Sequence, residues 1–314
     1  MQRFLAFALV LVPLAAHAQT PEALGWLRKM HDATQKLSYS GTFVYQNGGR
    51  SETSRITRYA EADIERLEVL DGVPREIIRT RDTVRCYLPG QRVVKVERRA
   101  GERAFPGLLP ERITALARHY DIGLGETRRI AGLECQTVAL TPRDDVRYGY
   151  KLCADTHSGM LLNAVTVDAA GAQVEQFMFT QLAIGGVTRD MVKPRHASAG
   201  WRIEDAAAAP ARLAGWGLSS ELPGFQKIIE LKRRLGDSRS AGQVVYSDGL
   251  AAVSVFIESL EGRSDRVRTG LASMGAIHIY TREVANHVVT VVGEAPAASV
   301  QRIANAVEYR RPQQ

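Results

Sequence analysis

Residues 148–185 constrain the fold more than any other stretch of this chain. Tyr148, Tyr150 and Leu152 alternate with polar or small residues, and 155–159 then turns the chain. A second apolar run spans 161–167, the segment 168–171 turns again, and 174–180 returns with Phe177 and Phe179 on one side. Apolar alternation with a period of two residues, broken by Asp/Gly turns, predicts an antiparallel meander. Nothing in its residue pattern is catalytic, so the stretch is scaffold.

The chain before it continues the same pattern. Residues 21–37 predict a helix, with Leu24, Leu27, Met30 and Leu37 at helical spacing and Pro21 in the first turn. Asn47-Gly48-Gly49 is a strong hairpin signal between strands at 42–45 and 52–58. Short apolar runs follow at 67–70, 76–79, 84–88 and 93–96, separated by turns such as Asp71-Gly72 and Pro89-Gly90. Even spacing of short strands predicts a barrel or a strongly curved sheet. Residues 111–119 predict one short helix.

A hairpin centred on Asp144 pairs Leu140 with Tyr148, Val138 with Tyr150 and Gln136 with Leu152. It also sets Cys135 opposite Cys153, where a cross-strand disulfide is feasible. The alternative is three reduced thiols. Cys86, the remaining cysteine, alternates with Val84 and Leu88, which predicts a buried thiol.

The compartment is read from the first residues. A basic start at Met1-Gln2-Arg3, an apolar run at 4–15 and the small-x-small signal Ala16-His17-Ala18 predict a signal peptide over 1–18. The alternative is an uncleaved anchor. Cleavage after Ala18 leaves 314 − 18 = 296 residues, enough for two domains. We place them at 19–195 and 218–314, joined by a linker at 196–217 that is rich in Ala and poor in large apolar residues. The second domain reads as a four-stranded sheet closed by a helix that Pro296 opens, a small α+β unit.

Charge is uneven. Residues 75–103 hold nine Lys/Arg against four Asp/Glu. Arg79, Arg81, Arg85, Arg92, Lys95, Arg98 and Arg99 form a candidate patch for an anionic lipid or another acidic partner. The ordinary alternative is that these side chains occupy the solvated faces of strands. Nucleic acid is not expected in an exported protein.

No nucleophile elbow, zincin motif, Cys-x-x-Cys, phosphate loop or dinucleotide fingerprint is present. His278 and His287 sit on facing strands but lack a third ligand, so no metal site is assigned. Asp144-Asp145 is a turn, because adjacent residues at a strand end point apart. No cofactor and no enzymatic activity are expected, although a triad assembled from distant residues stays open. Binding remains. A curved sheet carrying Phe43, Tyr45, Tyr87, Phe177 and Phe179 offers an apolar groove, unless those rings simply fill the core.

Several separated segments resemble one family. They are 37–45 (Leu-Ser-Tyr-Ser-Gly-Thr-Phe-Val-Tyr), 70–76, Cys86-Tyr87-Leu88-Pro89, 148–180, 245–251 and 290–296. In this order they resemble the MucB/RseB family over nearly the whole mature chain. The resemblance implies a large antiparallel half-barrel of the LolA/LolB type with helices, followed by a small α+β domain. It implies a periplasmic negative regulator of the envelope-stress sigma factor. Such a protein binds the periplasmic domain of a transmembrane anti-sigma factor and shields it from regulated proteolysis. Lipid signals, lipopolysaccharide among them, release it. A homo-oligomer is open. The Arg-rich patch bordering the aromatic groove is our placement for a phosphorylated lipid. A periplasmic lipid or lipoprotein carrier is the alternative, and it needs only the large domain.

Overall fold

The computed structural model describes residues 21–98, 109, 113–205, 208–235, 239–261 and 267–311. The predicted leader and Arg99 lie outside the described residues. Helix α1 (Pro21–Lys36) buries Ala23, Leu27, Met30 and Thr34, which follow one another every three or four residues. Glu22 in its first turn and Lys36 in its last complement the helix dipole.

Six strands follow: β1 (Tyr39–Asn47), β2 (Arg50–Tyr59), β3 (Ile64–Val69), β4 (Glu76–Arg79), β5 (Thr83–Leu88) and β6 (Val93–Arg98). A short helix α2 (Ile113–Leu116) precedes β7 (Tyr120–Ile130), β8 (Leu133–Pro142), β9 (Gly149–Asp155), β10 (Leu161–Val167) and β11 (Gln173–Ile184). The predicted meander is therefore β9 to β11, antiparallel throughout. β1 pairs with β11, which joins both halves into one curved sheet of twelve strands. The β1–β2 turn has φ of 54° at Gly48 and 79° at Gly49, as a two-residue hairpin turn of the tightly twisted kind requires. α1 and the inner face of this sheet enclose the large core.

The β8–β9 hairpin is centred one residue later than the sequence suggests. Leu140 pairs with Tyr150 and Val138 with Leu152, so every pair moves by two positions. Cys135 faces Asp155 and Cys153 faces Thr137. A two-residue move keeps each side chain on its face. The two cysteines are thus diagonal neighbours, 5.5 Å apart at Cα, and are joined by a disulfide. The cause is the connection 143–148, which does not close a tight turn. It reaches out to the second domain, where Val146 is buried in the other core.

Residues 196–217, read as a linker, carry strand structure. β12 (Arg202–Asp205) adds in parallel to β6 at the edge of the large sheet. β13 (Ala208–Pro210) adds to the edge of the small sheet, against β15 (Gln226–Leu235). β14 (Trp216–Leu218) pairs instead with the C-terminal β21 (Val307–Tyr309). The small sheet is completed by β16 (Arg239–Ser247), β17 (Ala252–Ser259), β18 (Gly270–Met274), β19 (Ile277–Val284) and β20 (His287–Gly293). It has seven strands in the order β13-β15-β16-β17-β20-β19-β18, where the sequence suggested four. The edge strands β13 and β18 are short, and β18 is exposed along its whole length, so they lack the apolar alternation that reveals a strand. Helix α3 (Ala297–Ala306) follows Pro296 as expected and buries Val300, Ile303 and Ala304.

Candidate functional site

Four of the five predicted groove aromatics come together. Phe43 pairs with Phe179 and Tyr45 with Phe177 across β1 and β11, so their rings share the inner face. Ring centroids lie 4.7 Å apart for Phe43–Phe177 and 5.0 Å for Phe177–Phe179. Phe43, Phe177 and Phe179 are 6%, 3% and 1% exposed and belong to one core with Leu27 and Met30 of α1. The three phenylalanine rings are therefore packed into this core under the sheet. Tyr45 sits at the rim. Its hydroxyl donates to Glu175 Oε2 at 2.6 Å, and burial with that bond pushes the phenol pKa up.

Tyr87 does not join them. Its cross-strand partners run Glu76, Glu68, Arg55 and Thr42, which places it on the face opposite Phe43. There it forms a satellite cluster with Ile78 and Val94, packed against by Trp201. The period-two pattern of β5 shows two alternate faces but not which one looks inward, because both are half-buried.

The basic patch divides in the same way. Arg85 and Arg98 share Tyr87's face, since Arg85 pairs with Ile78 and Val96. Arg79 and Lys95 look to the other face, where Arg79 Nη1 binds Glu65 at 2.6 Å. Arg81 is in the β4–β5 turn, and Arg92 has a positive φ of 51° just before β6. These cations do not converge on one anion. Cys86 is half-buried among Lys95 and Arg75, and burial pushes its thiol pKa up.

The predicted histidine pair also separates. His278 faces Gly293, whereas His287 faces Val284 at the far end of the same hairpin. No cluster of three or more metal-ligating side chains occurs among the described residues.

The most developed polar site lies between the two sheets, and sequence reasoning missed it. Arg147 and Asp248 have fully buried side chains, with Arg147 Nε 2.8 Å from Asp248 Oδ2. Arg147 also contacts Asp144 and the Pro223 carbonyl, and its guanidinium lies 5.4 Å from the Phe225 ring centroid. Tyr120 Oη donates to Asp248 at 3.3 Å. The other carboxylate oxygen of Asp248 accepts the backbone N–H groups of Leu250 and Ala251, closing the β16–β17 turn. Every direction of the ion pair is thus hydrogen-bonded, which a buried charge requires. The signal available was the Ser247-Asp248-Gly249 turn together with Arg147 in a connection too polar for a simple hairpin.

Contacts spread outward from this pair. Val146 enters the small core while Leu250 packs on the large one. Arg302 binds Asp145 through both nitrogens, and Ser299 Oγ donates to the Val146 carbonyl at 2.8 Å. Tyr148 Oη lies 3.0 Å from His278 Nε2. Asn47 Oδ1 accepts the Ala276 N–H at 2.9 Å, and a Cβ on Gly275 would fall 1.4 Å from that oxygen. On the linker side Arg233 binds Glu97 at 2.5 Å. Burial, and secondarily Glu175, push the Glu294 carboxyl up to about 7, although part of its side chain reaches solvent.

Comparison with known proteins identifies this arrangement. The profile of the MucB/RseB N-terminal domain matches residues 22–200, and that of the MucB/RseB C-terminal domain matches 210–308. The chain belongs to the MucB/RseB family. It is 31% identical over 301 residues to the sigma factor AlgU regulatory protein MucB of Pseudomonas aeruginosa, covering 92% of both chains. It is 26% identical to the sigma-E factor regulatory protein RseB of Escherichia coli K12, again over 92% of each. A crystal structure of MucB in complex with MucA(peri) covers 92% of this chain and all of its own at 28% identity, with a TM-score of 0.71. A second MucA/MucB complex from Pseudomonas aeruginosa covers 93% at 29% identity, with a TM-score of 0.72. These MucB/RseB relatives carry regulatory names. Among the described residues no helix is long and apolar enough to cross a membrane.

Proposed function

We propose that this chain is a periplasmic negative regulator of an envelope-stress sigma factor. It binds the periplasmic region of a transmembrane anti-sigma factor, protects that region from regulated proteolysis, and is released by lipid or lipopolysaccharide signals. The observation that carries this reading is likeness over both domains at once to MucB bound to MucA(peri). The buried interdomain contacts support it, because they present the two sheets to a partner as one surface. The carrier alternative needs space for an acyl chain under the large sheet, where Phe43, Phe177 and Phe179 are buried in one core.

Protection is the direct test. The anti-sigma factor's periplasmic segment is digested alone, with this protein, and with this protein plus lipopolysaccharide. We expect slowed cleavage that the lipid restores. Cleavage indifferent to the protein would sink the reading. Protection that lipid leaves intact would keep the partner and discard lipid release.

A further inference from the structure

Four strands form the edges of the two large sheets: β12 and β7 on the twelve-stranded sheet, β13 and β18 on the seven-stranded one. An open edge invites a further strand, and folded proteins guard their edges with charge, proline or bulges. Three of these edges are guarded. β12 carries Arg202, Glu204 and Asp205. β13 has three residues and ends in Pro210. β7 carries Glu126, Arg128 and Arg129, and its register shifts between Leu124 and Thr127.

β18 has none of these guards. Residues 269–276 read Thr-Gly-Leu-Ala-Ser-Met-Gly-Ala, without charge or proline. All five residues of the strand are exposed, and its register with β19 is unbroken from Gly270–Thr281 to Met274–Ile277. Among the described residues β18 pairs on that side alone. Its end is anchored to the large domain: the Ala276 N–H donates to Asn47 Oδ1, and a Cβ on Gly48 would lie 2.7 Å from Gly275 Cα. The edge is thus in place before anything binds, which spares the cost of ordering it.

Side chains alternate along the strand, with Leu271 and Ser273 on one face and Ala272 and Met274 on the other. Each face offers one large apolar side chain. A cation stands at either end. Arg268 is exposed two residues before Gly270, and the exposed Arg50 donates to Met274 Sδ at 3.8 Å. The one carboxylate of β19, Glu283, lies beyond its pairing with β18.

We infer that β18 is a docking edge that takes an extended peptide segment of a partner protein as an added strand, apolar at alternate positions and acidic at both ends. Main-chain hydrogen bonds supply the affinity of such an addition, and the flanking side chains select the segment. Leu271 and Met274 receive its apolar side chains, and Arg268 and Arg50 receive its carboxylates. A second copy of this chain fits less well. Antiparallel pairing of two β18 edges would bring Arg268 of one protomer towards Arg50 of its partner, cation against cation. The inference does not rest on the anti-sigma reading, and either can fail alone.

Hydrogen exchange of the full chain, read by mass spectrometry, tests it. The probes are acetyl-Asp-Val-Thr-Val-Thr-Val-Asp-amide, the same peptide with Lys at both ends, and a version with two adjacent prolines in the middle. Two neighbouring prolines remove an N–H from each side of a strand, so they break the ladder in either orientation. Saturable protection of residues 270–274 is expected with the acid-ended peptide and with neither of the others. Arg50 and Arg268 are exposed, so Arg50→Glu/Arg268→Glu leaves the fold intact, as circular dichroism would verify. It is expected to weaken the acid-ended peptide about tenfold and to let the lysine-ended one bind. No protection of 270–274, equal protection by the proline peptide, or an affinity changed less than about threefold by the double reversal would overturn the inference. Protection that grows with protein concentration in the absence of peptide would give the edge to a second copy and overturn it as well.

Discussion

Single residues decide how the domains are joined. Arg147 and Asp248 are fully buried and satisfied only by each other and by groups around the interface. Removing one partner leaves a buried charge alone, which costs about 3–5 kcal/mol. Arg147→Met is therefore expected to lower stability by roughly that amount in urea unfolding, and Arg147→Met/Asp248→Leu by clearly less. Equal losses from both would remove the ion pair from this role. Titratable groups at the same interface add a pH dependence. Burial holds His278 and His119 below their ordinary 6.5, so the folded protein resists protonating them. Their stabilising effect is present above 6.5 and is lost as the pH falls below it. Glu294, raised to about 7, acts oppositely: the folded state holds its proton more tightly between 4.5 and 7, and stability is lost as the pH rises through that window. Thermal melts across pH 4–8 should show His278→Gln with a smaller acid loss and Glu294→Gln with a smaller loss towards neutrality. Unchanged profiles in both variants would contradict the assignment.

At the scale of elements, the strands with clean alternation were legible and the edges were not. Residues 161–167 read as a strand because apolar side chains recur on one face, and β10 has those bounds. β12 and β13 have no such pattern, because their sheet edges ask only for backbone hydrogen bonds. Tyr87 was placed in the groove because alternation does not reveal that 189–201 covers the outer face, with Val192 buried and Trp201 against Tyr87's cluster. The Cys135–Cys153 pair was legible despite the displaced register, since diagonal neighbours also lie within bridging distance. This bridge closes a loop of 18 residues between β8 and β9. Chain entropy assigns such a loop about 3 kcal/mol. Cys135→Ser/Cys153→Ser is expected to lose that much in denaturant unfolding, and the wild type to lose it under reductant. Resistance of both to the change would show that the packed β8–β9 pair needs no link.

At the scale of the molecule, two sheets exchange residues across their boundary. Val146 enters the small core, Leu250 packs on the large one, and the linker adds one strand to each sheet. Composition and motif order were enough to foresee two domains and a binding role. The way the domains meet was hidden, because Arg147 and Asp248 are 101 residues apart and acquire meaning only in space. This joined body is expected to engage an anti-sigma factor through both domains. The most direct measurement is a calorimetric titration of the full chain with the purified periplasmic segment of its anti-sigma factor. Saturable binding at one-to-one stoichiometry, weakened when Arg147→Met loosens the domains, is the predicted result. No heat of binding and no co-elution of the mixture on gel filtration would contradict the account.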